Sequence, residues 1–274
     1  NLEMKKILTN NNFYPNEKTI LLEHYSEFDN VFVGLSPFFK IKVGLSETKS
    51  SMKLISLEEA RENDGFFEKI GNHSNVNIYS TNDNYPSDEE IAKNGELIEW
   101  NEIIENTSII NYKELNKALM TSIGGFKKKL QRLDLLEILN HYSEKENIWH
   151  PLNGTFNFFT KSTIYDILKS KDITKIEVVD EFLKSRKTID IKSLNKKEFC
   201  DTIDYSDYYI YTIDNSILFS IGWDYFFFFV AVDEKCFSKS DIEKHFEGFW
   251  ADKNDTHLWT WEKGEIKRLL KTDN

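Results

Sequence analysis

The run Tyr225-Phe226-Phe227-Phe228-Phe229-Val230-Ala231-Val232 has no polar face. Successive side chains of an extended chain point to opposite sides, so Phe226, Phe228 and Val230 need one cover and Phe227, Phe229 and Ala231 another. This predicts a central strand with apolar layers above and below. Upstream, Tyr208-Tyr209-Ile210-Tyr211-Thr212-Ile213 and Ile217-Leu218-Phe219-Ser220-Ile221 flank Asp214-Asn215, residue types that tolerate the left-handed backbone of a tight hairpin. Ile217, Phe219 and Ile221 share a face while Ser220 looks away, so this strand is expected to be the less buried neighbour. Gly222-Trp223-Asp224 supplies the next turn. Downstream, a helix is expected over residues 240–247, capped by Ser240 and released by Gly248. A strand over 256–261 should then carry His257, Trp259 and Trp261 on one side.

Working back towards the start, residues 193–200 and 162–168 read as helices, 176–179 as a strand and 150–154 as a loop. Two helices, over 111–120 and 126–142, form a hairpin; in the second, Phe126, Leu130, Leu133, Leu136 and Leu139 share one face. Residues 96–106 have helical spacing but could begin as an extended segment. Ser87 and Ser56 each begin a capping-box pattern, the latter opening a helix to about residue 70 that Asp64-Gly65 weakens. The first residues mix a short helix over 18–28 with strands at 31–33 and 38–43, parted by Ser36-Pro37; another short strand is expected at 76–79. The loop at 82–86 is the best internal boundary. The resulting class is α+β: an antiparallel meander in the C-terminal half, covered by helices, with a helical hairpin in the middle of the chain. The 274 residues read as a single unit, 1–274, divisible into an N-terminal α/β portion (1–105), the hairpin (106–145) and a C-terminal α+β portion (146–274).

Lys plus Arg number 35 against 46 Asp plus Glu, a net charge of −11. General attraction to nucleic acid or anionic membrane is therefore disfavoured, and a basic protein partner fits better. Two cysteines are too few for a disulfide framework at this length, which points to the cytoplasm. Met4-Lys5-Lys6-Ile7-Leu8 opens like a secretory signal, but Thr9-Asn10-Asn11-Asn12 breaks the run, so no export is expected.

Chemistry-bearing patterns are few. Residues 114–130 resemble a helix-turn-helix, with Thr121-Ser122 capping a second helix and Lys127, Lys128, Lys129 and Arg132 facing phosphates. Asn116 and Met120 depart from the motif, and an ordinary helical hairpin with a solvated lysine face explains the same residues. A second cluster is aromatic and acidic: Trp223, Asp224, His245, Glu247, Trp250, Asp252, Asp255, His257, Trp259 and Trp261. Its spacing fits no metal-ligand motif, and its tryptophans suit either a core or an interface. Cys200 and Cys236 lie beside acids, which raise a thiol pKa, and Gly124-Gly125 lacks the strand and spacing of a phosphate loop. No catalytic residue, metal or cofactor is expected.

Four short stretches together resemble a bacterial family known from bacilli, domain of unknown function 2711. They are Trp100-Asn101-Glu102-Ile103-Ile104, Leu119-Met120-Thr121-Ser122-Ile123-Gly124, Pro151-Leu152-Asn153-Gly154-Thr155-Phe156 and Gly222-Trp223-Asp224-Tyr225-Phe226. The resemblance implies a bacterial cytoplasmic protein of one globular unit, brings no active site, and implies that Trp223-Asp224 and Gly154 hold the loops of the C-terminal sheet. Separately, Phe246-Glu247-Gly248-Phe249-Trp250 with Thr256-His257-Leu258-Trp259-Thr260-Trp261 resembles the end of small acidic immunity-type proteins that neutralise toxins. The leading expectation is thus a non-enzymatic, immunity-like protein binder using Trp223, Asp224, Glu247, Trp250, Asp252, His257 and Trp259. The alternatives are a DNA-binding regulator through residues 111–132 and a hydrolase using Asp224, Glu247 and His257.

Overall fold

The computed structural model describes residues 5–41, 52–55, 78–82, 84–123 and 126–271. The helix expected from Ser56, with Asp64-Gly65, lies outside them. The first part of the chain gives helices α1 (Lys6–Thr9) and α2 (Leu21–His24) and strands β1 (Asn30–Leu35), β2 (Phe38–Ile41), β3 (Met52–Ile55) and β4 (Ile78–Thr81). Then come α3 (Asp88–Asn94), β5 (Gly95–Ile98), α4 (Trp100–Glu105), α5 (Tyr112–Thr121), α6 (Leu133–Glu146), β6 (Ile148–Trp149) and α7 (Phe158–Ser170). The chain continues through β7 (Lys175–Asp180), β8 (Arg186–Asp190), α8 (Lys196–Thr202), β9 (Asp207–Thr212), β10 (Ile217–Ile221) and β11 (Phe227–Val232). It closes with α9 (Lys239–Glu243), β12 (Gly248–Trp250) and α10 (Glu265–Lys271).

Seven strands form one antiparallel sheet in the order β12-β1-β11-β10-β9-β7-β8. The phenylalanine run forms an interior strand, third of the seven, and Phe226 through Val232 are fully buried. Phe227, Phe229 and Ala231 join one apolar layer with Trp100, Leu119 and Leu139 from α4, α5 and α6; Phe228, Val230 and Val232 join the other with Ile164, Phe199 and Ile242 from α7, α8 and α9. Phe226 belongs to the first layer, because it precedes the strand and escapes its alternation. The mixed α+β architecture, with its antiparallel meander and the packed α5–α6 hairpin, matches the reading of the sequence.

Local chemistry explains many element ends. Asn111, Asn157 and Asn195 accept amide hydrogens at the starts of α5, α7 and α8, and the β9–β10 hairpin turns at Asn215 with φ 61°. Ser87 caps α3 by accepting from Glu90.

Several expectations need correction. β10 is buried on both faces, because Ser220 hydrogen-bonds Tyr25 at 2.7 Å and so satisfies its hydroxyl inside the core. The helix expected at 240–247 is capped by Ser238, whose pairing with Asp241 completes a capping box, and it stops at Glu243; Gly248 begins β12. Residues 256–261 form consecutive tight turns, with Trp259 N–H bonding the Thr256 carbonyl and Trp261 N–H the Leu258 carbonyl, apart from one bridge of Thr256 to Ile20. The helix over 126–142 is replaced by a 3-10 turn at Lys128–Leu130 and by α6. The helix at 18–28 shrinks to α2.

Candidate functional site

At the end of the sheet where β10 turns into β11, Asp224 adopts φ 62° and its carboxylate accepts from Asn153 at 3.0 Å. The Gly154 amide bonds the Tyr225 carbonyl at 2.8 Å. Gly154 itself has φ 65°, and a Cβ there would come within 3.1 Å of the Tyr208 hydroxyl and 3.3 Å of the Asp224 nitrogen. Only glycine meets both conditions without strain. The 151–154 loop is thus fastened to the 222–225 turn.

Fastening leaves Trp223 outward, 58% exposed. Beside it stands the β7–β8 turn, whose Phe182 and Leu183 are 60% and 43% exposed; the Phe182 and Trp223 rings meet edge to face at 6.5 Å. Leu183 has φ 58°. Lys184 places its ammonium 5.3 Å from the Phe182 ring centre. Around these rings lie Asp180, Glu181 and Asp224. Burial raises the pKa of Glu181, with the Asp180 and Asp224 charges adding to it; burial likewise raises Asp224, against the Asn153 hydrogen bond. These carboxylates are close enough to repel one another, which a cation would relieve.

The other expected site residues scatter. Trp259 is buried, its ring edge-on to Phe227 and Phe249 at 5.3 and 5.0 Å. Trp250 lies on β12, parted from the Trp223 turn by β1 and β11. It lines a groove of about 520 Å³ with Glu99, Tyr112, Glu243 and Glu247, but its indole donates to Glu243 at 2.7 Å and its ring is covered by Lys239 at 5.1 Å. Glu247 accepts from the Trp100 and Asn101 amides at 2.5 and 2.8 Å and from the Tyr112 hydroxyl at 3.2 Å, so it caps α4. Asp252 organises its own turn by accepting from Asn254 and Asp255. His257 is buried and hydrogen-bonds Tyr225 at 2.7 Å. Asp224, Glu247 and His257 therefore serve three separate local structures, and the hydrolase arrangement finds no common centre.

The helix-turn-helix arrangement is also corrected. Thr121 and Ser122 end α5, and Thr121 accepts from the Arg132 amide at 2.9 Å. Lys127, Lys128 and Lys129 precede the second helix, and Arg132 forms a two-pronged pair with Asp134 at 2.8 and 2.7 Å. A recognition helix would need these cations on its own first turns.

A family model described as a protein of unknown function (DUF2711) matches residues 16–261. The chain belongs to this family. Among curated proteins, the uncharacterized protein YwbB of Bacillus subtilis (strain 168) is 26% identical over 117 residues, 43% of this chain and 52% of that protein. The chain thus spans about half the length of the curated relative it matches. No solved structure matches. In this DUF2711 protein the stretches that suggested the family fall at structural joints: Trp100 opens α4 with its indole on the Ser36 carbonyl at 2.8 Å, and the 151–156 and 222–226 stretches meet at Gly154. Among the described residues, no helix is long and apolar enough to cross a membrane.

Phe182 and Leu183 were not singled out from the sequence. Their signal is an apolar pair inside Asp180-Glu181-Phe182-Leu183-Lys184-Ser185, otherwise polar and turn-like, and it becomes legible only once β8 is recognised as a strand.

Proposed function

We propose that this protein is a non-enzymatic binding module, immunity-like in its logic, that docks a basic protein on the Trp223–Phe182–Leu183 face. The observation that carries the reading is the joint exposure of three large apolar side chains from two adjoining turns within a rim of carboxylates. Exposed aromatic anchors ringed by polar groups are the usual makeup of protein contact sites, and an acidic rim steers a cationic partner. Lys184 above Phe182 already shows a cation accepted over one of these rings. The net charge of −11 acts in the same direction at longer range.

The test is affinity capture from the native host with wild-type and Trp223→Ala/Phe182→Ala baits. A basic protein retained by the first, lost from the second and released as salt rises supports the reading. Equal capture by both baits, or no partner for either, overturns it.

A further inference from the structure

Where α3, α7 and α8 meet there is a cavity of about 350 Å³, lined among others by Tyr85, Asp88, Ile91, Phe156, Lys161 and Ile203. That size falls within the range of roughly 300–1,000 Å³ typical of small-molecule sites. Lys161 is only 6% exposed. Its ammonium reaches Asp88 Oδ2 at 2.6 Å and, more weakly, the Ile203 carbonyl at 3.4 Å, so two acceptors serve three hydrogens. Asp88 keeps its second oxygen without a protein partner among the described residues. Only the lysine of the pair is buried; the Asp88 side chain is 52% exposed, so water screens the attraction and the pair contributes little net stability. It does present one spare donor beside one spare acceptor at the wall of a chamber of mixed polar and apolar lining.

We propose that this cavity binds a free α-amino acid with an apolar side chain. The ligand's carboxylate completes the Lys161 ammonium and its own ammonium completes Asp88, giving a square of alternating charges. An α-amino acid carries its two charges on neighbouring groups, as the side-by-side Lys161–Asp88 pair requires. The other lining carboxylates pair with lysines of their own rather than with Lys161, Asp201 with Lys197 at 2.6 Å and Asp204 with Lys187 at 3.0 Å. Lys161 is thus the buried ammonium of the chamber and Asp88 the carboxylate beside it, a pairing that suits a zwitterion better than a simple anion or cation. Ile91, Phe156 and Ile203 supply the wall for the side chain. The Cys200 thiol, also on the lining, is pushed up to about 12 by burial and stays protonated, so the chamber holds its ligand without attacking it.

The experiment is calorimetric titration and thermal unfolding of the full chain with the apolar L-amino acids, their amides and their N-acetyl derivatives. At least one free amino acid is expected to bind and to raise Tm, with the amide and acetyl forms about tenfold weaker or worse, because each lacks one charge of the pair. Asp88→Asn, at an exposed position that leaves the core intact, is expected to weaken binding about tenfold, and Lys161→Met to abolish it. Should Lys161→Met fail to fold, Asp88→Asn carries the test alone. Absence of binding by every free amino acid, equal binding of the blocked forms, or unchanged binding by Asp88→Asn overturns the proposal.

Discussion

Leu183 combines a left-handed backbone, φ 58°, with a side chain 43% exposed, so it gains little from burial in exchange for its conformation. Left-handed backbone costs a non-glycine residue roughly 1–2 kcal/mol. Leu183→Gly is therefore expected to raise unfolding stability by about 1 kcal/mol in urea titration while weakening capture of the partner, since unfavourable residues persist where they serve a contact. No gain in stability would mean that the turn is not strained. A second residue-level outcome concerns acid. Burial lowers the pKa of His257 to about 4 from 6.5, with Glu17 and the Pro15 carbonyl pulling the other way. Between these values the unfolded chain takes up a proton that the folded protein refuses, so stability present at pH 7 is lost as pH falls from 6.5 to 4. His257→Gln, which still offers Tyr225 a hydrogen-bonding group, is expected to remove up to about 3 kcal/mol of that fall. His150, lowered to about 3 by full burial, keeps a remainder in both proteins. Denaturation midpoints at pH 7, 5.5 and 4.5 measure it, and parallel declines would show that His257 does not report acid.

Helix α4 illustrates how an element can depend on a distant residue. Its first amides are satisfied by Glu247, 147 positions away from Trp100, rather than by the neighbouring Glu99, whose side chain makes no cap. Burial raises the Glu247 pKa, and the amides of Trp100 and Asn101 pull it down again. Glu247→Ala is expected to cost about 2 kcal/mol by stranding these donors, with faster amide exchange confined to the start of α4; Glu247→Gln, which keeps one acceptor, costs about half as much. Global loss without local exchange at Trp100 and Asn101 would contradict the capping role. The same contrast explains what could be read from the sequence. Asn111, Asn157 and Asn195 each satisfy amides within three residues; the cap at Asn111 places the start of α5, whereas α7 begins at Phe158 rather than 162 and α8 at Lys196 rather than 193. Glu247 reads as a candidate acid because nothing near it in the chain shows the helix it caps. Ser238 and Ser240 compete as caps over two residues, and the turn that buries Phe237 decides between them.

At the scale of the molecule, the decisive strand is shared between distant parts of the chain. Phe32 of β1 and Phe219 of β10 flank Val230 on one face, as Val33 and Ser220 flank Phe229 on the other. The phenylalanine run announced that both faces would be covered, because alternation fails within a few residues; it carried no information on which strands would lie beside it. That is why Trp223, Trp250 and Trp259 read as one face from spacing alone and are separated by the observed strand order. The arrangement also bears on the division at residue 105. A fragment of residues 106–274 would keep β11 and β10 but lose β1, leaving the backbone edge of Phe227–Val232 open and the Trp100 indole absent from the layer above it. An exposed, long and apolar edge of this kind pairs with other copies. Residues 106–274 produced alone are thus expected to aggregate and to lack a cooperative thermal transition, while co-expression with residues 1–105 restores soluble protein. A monomeric fragment with a sharp transition would show that the sheet does not need β1 beside β11.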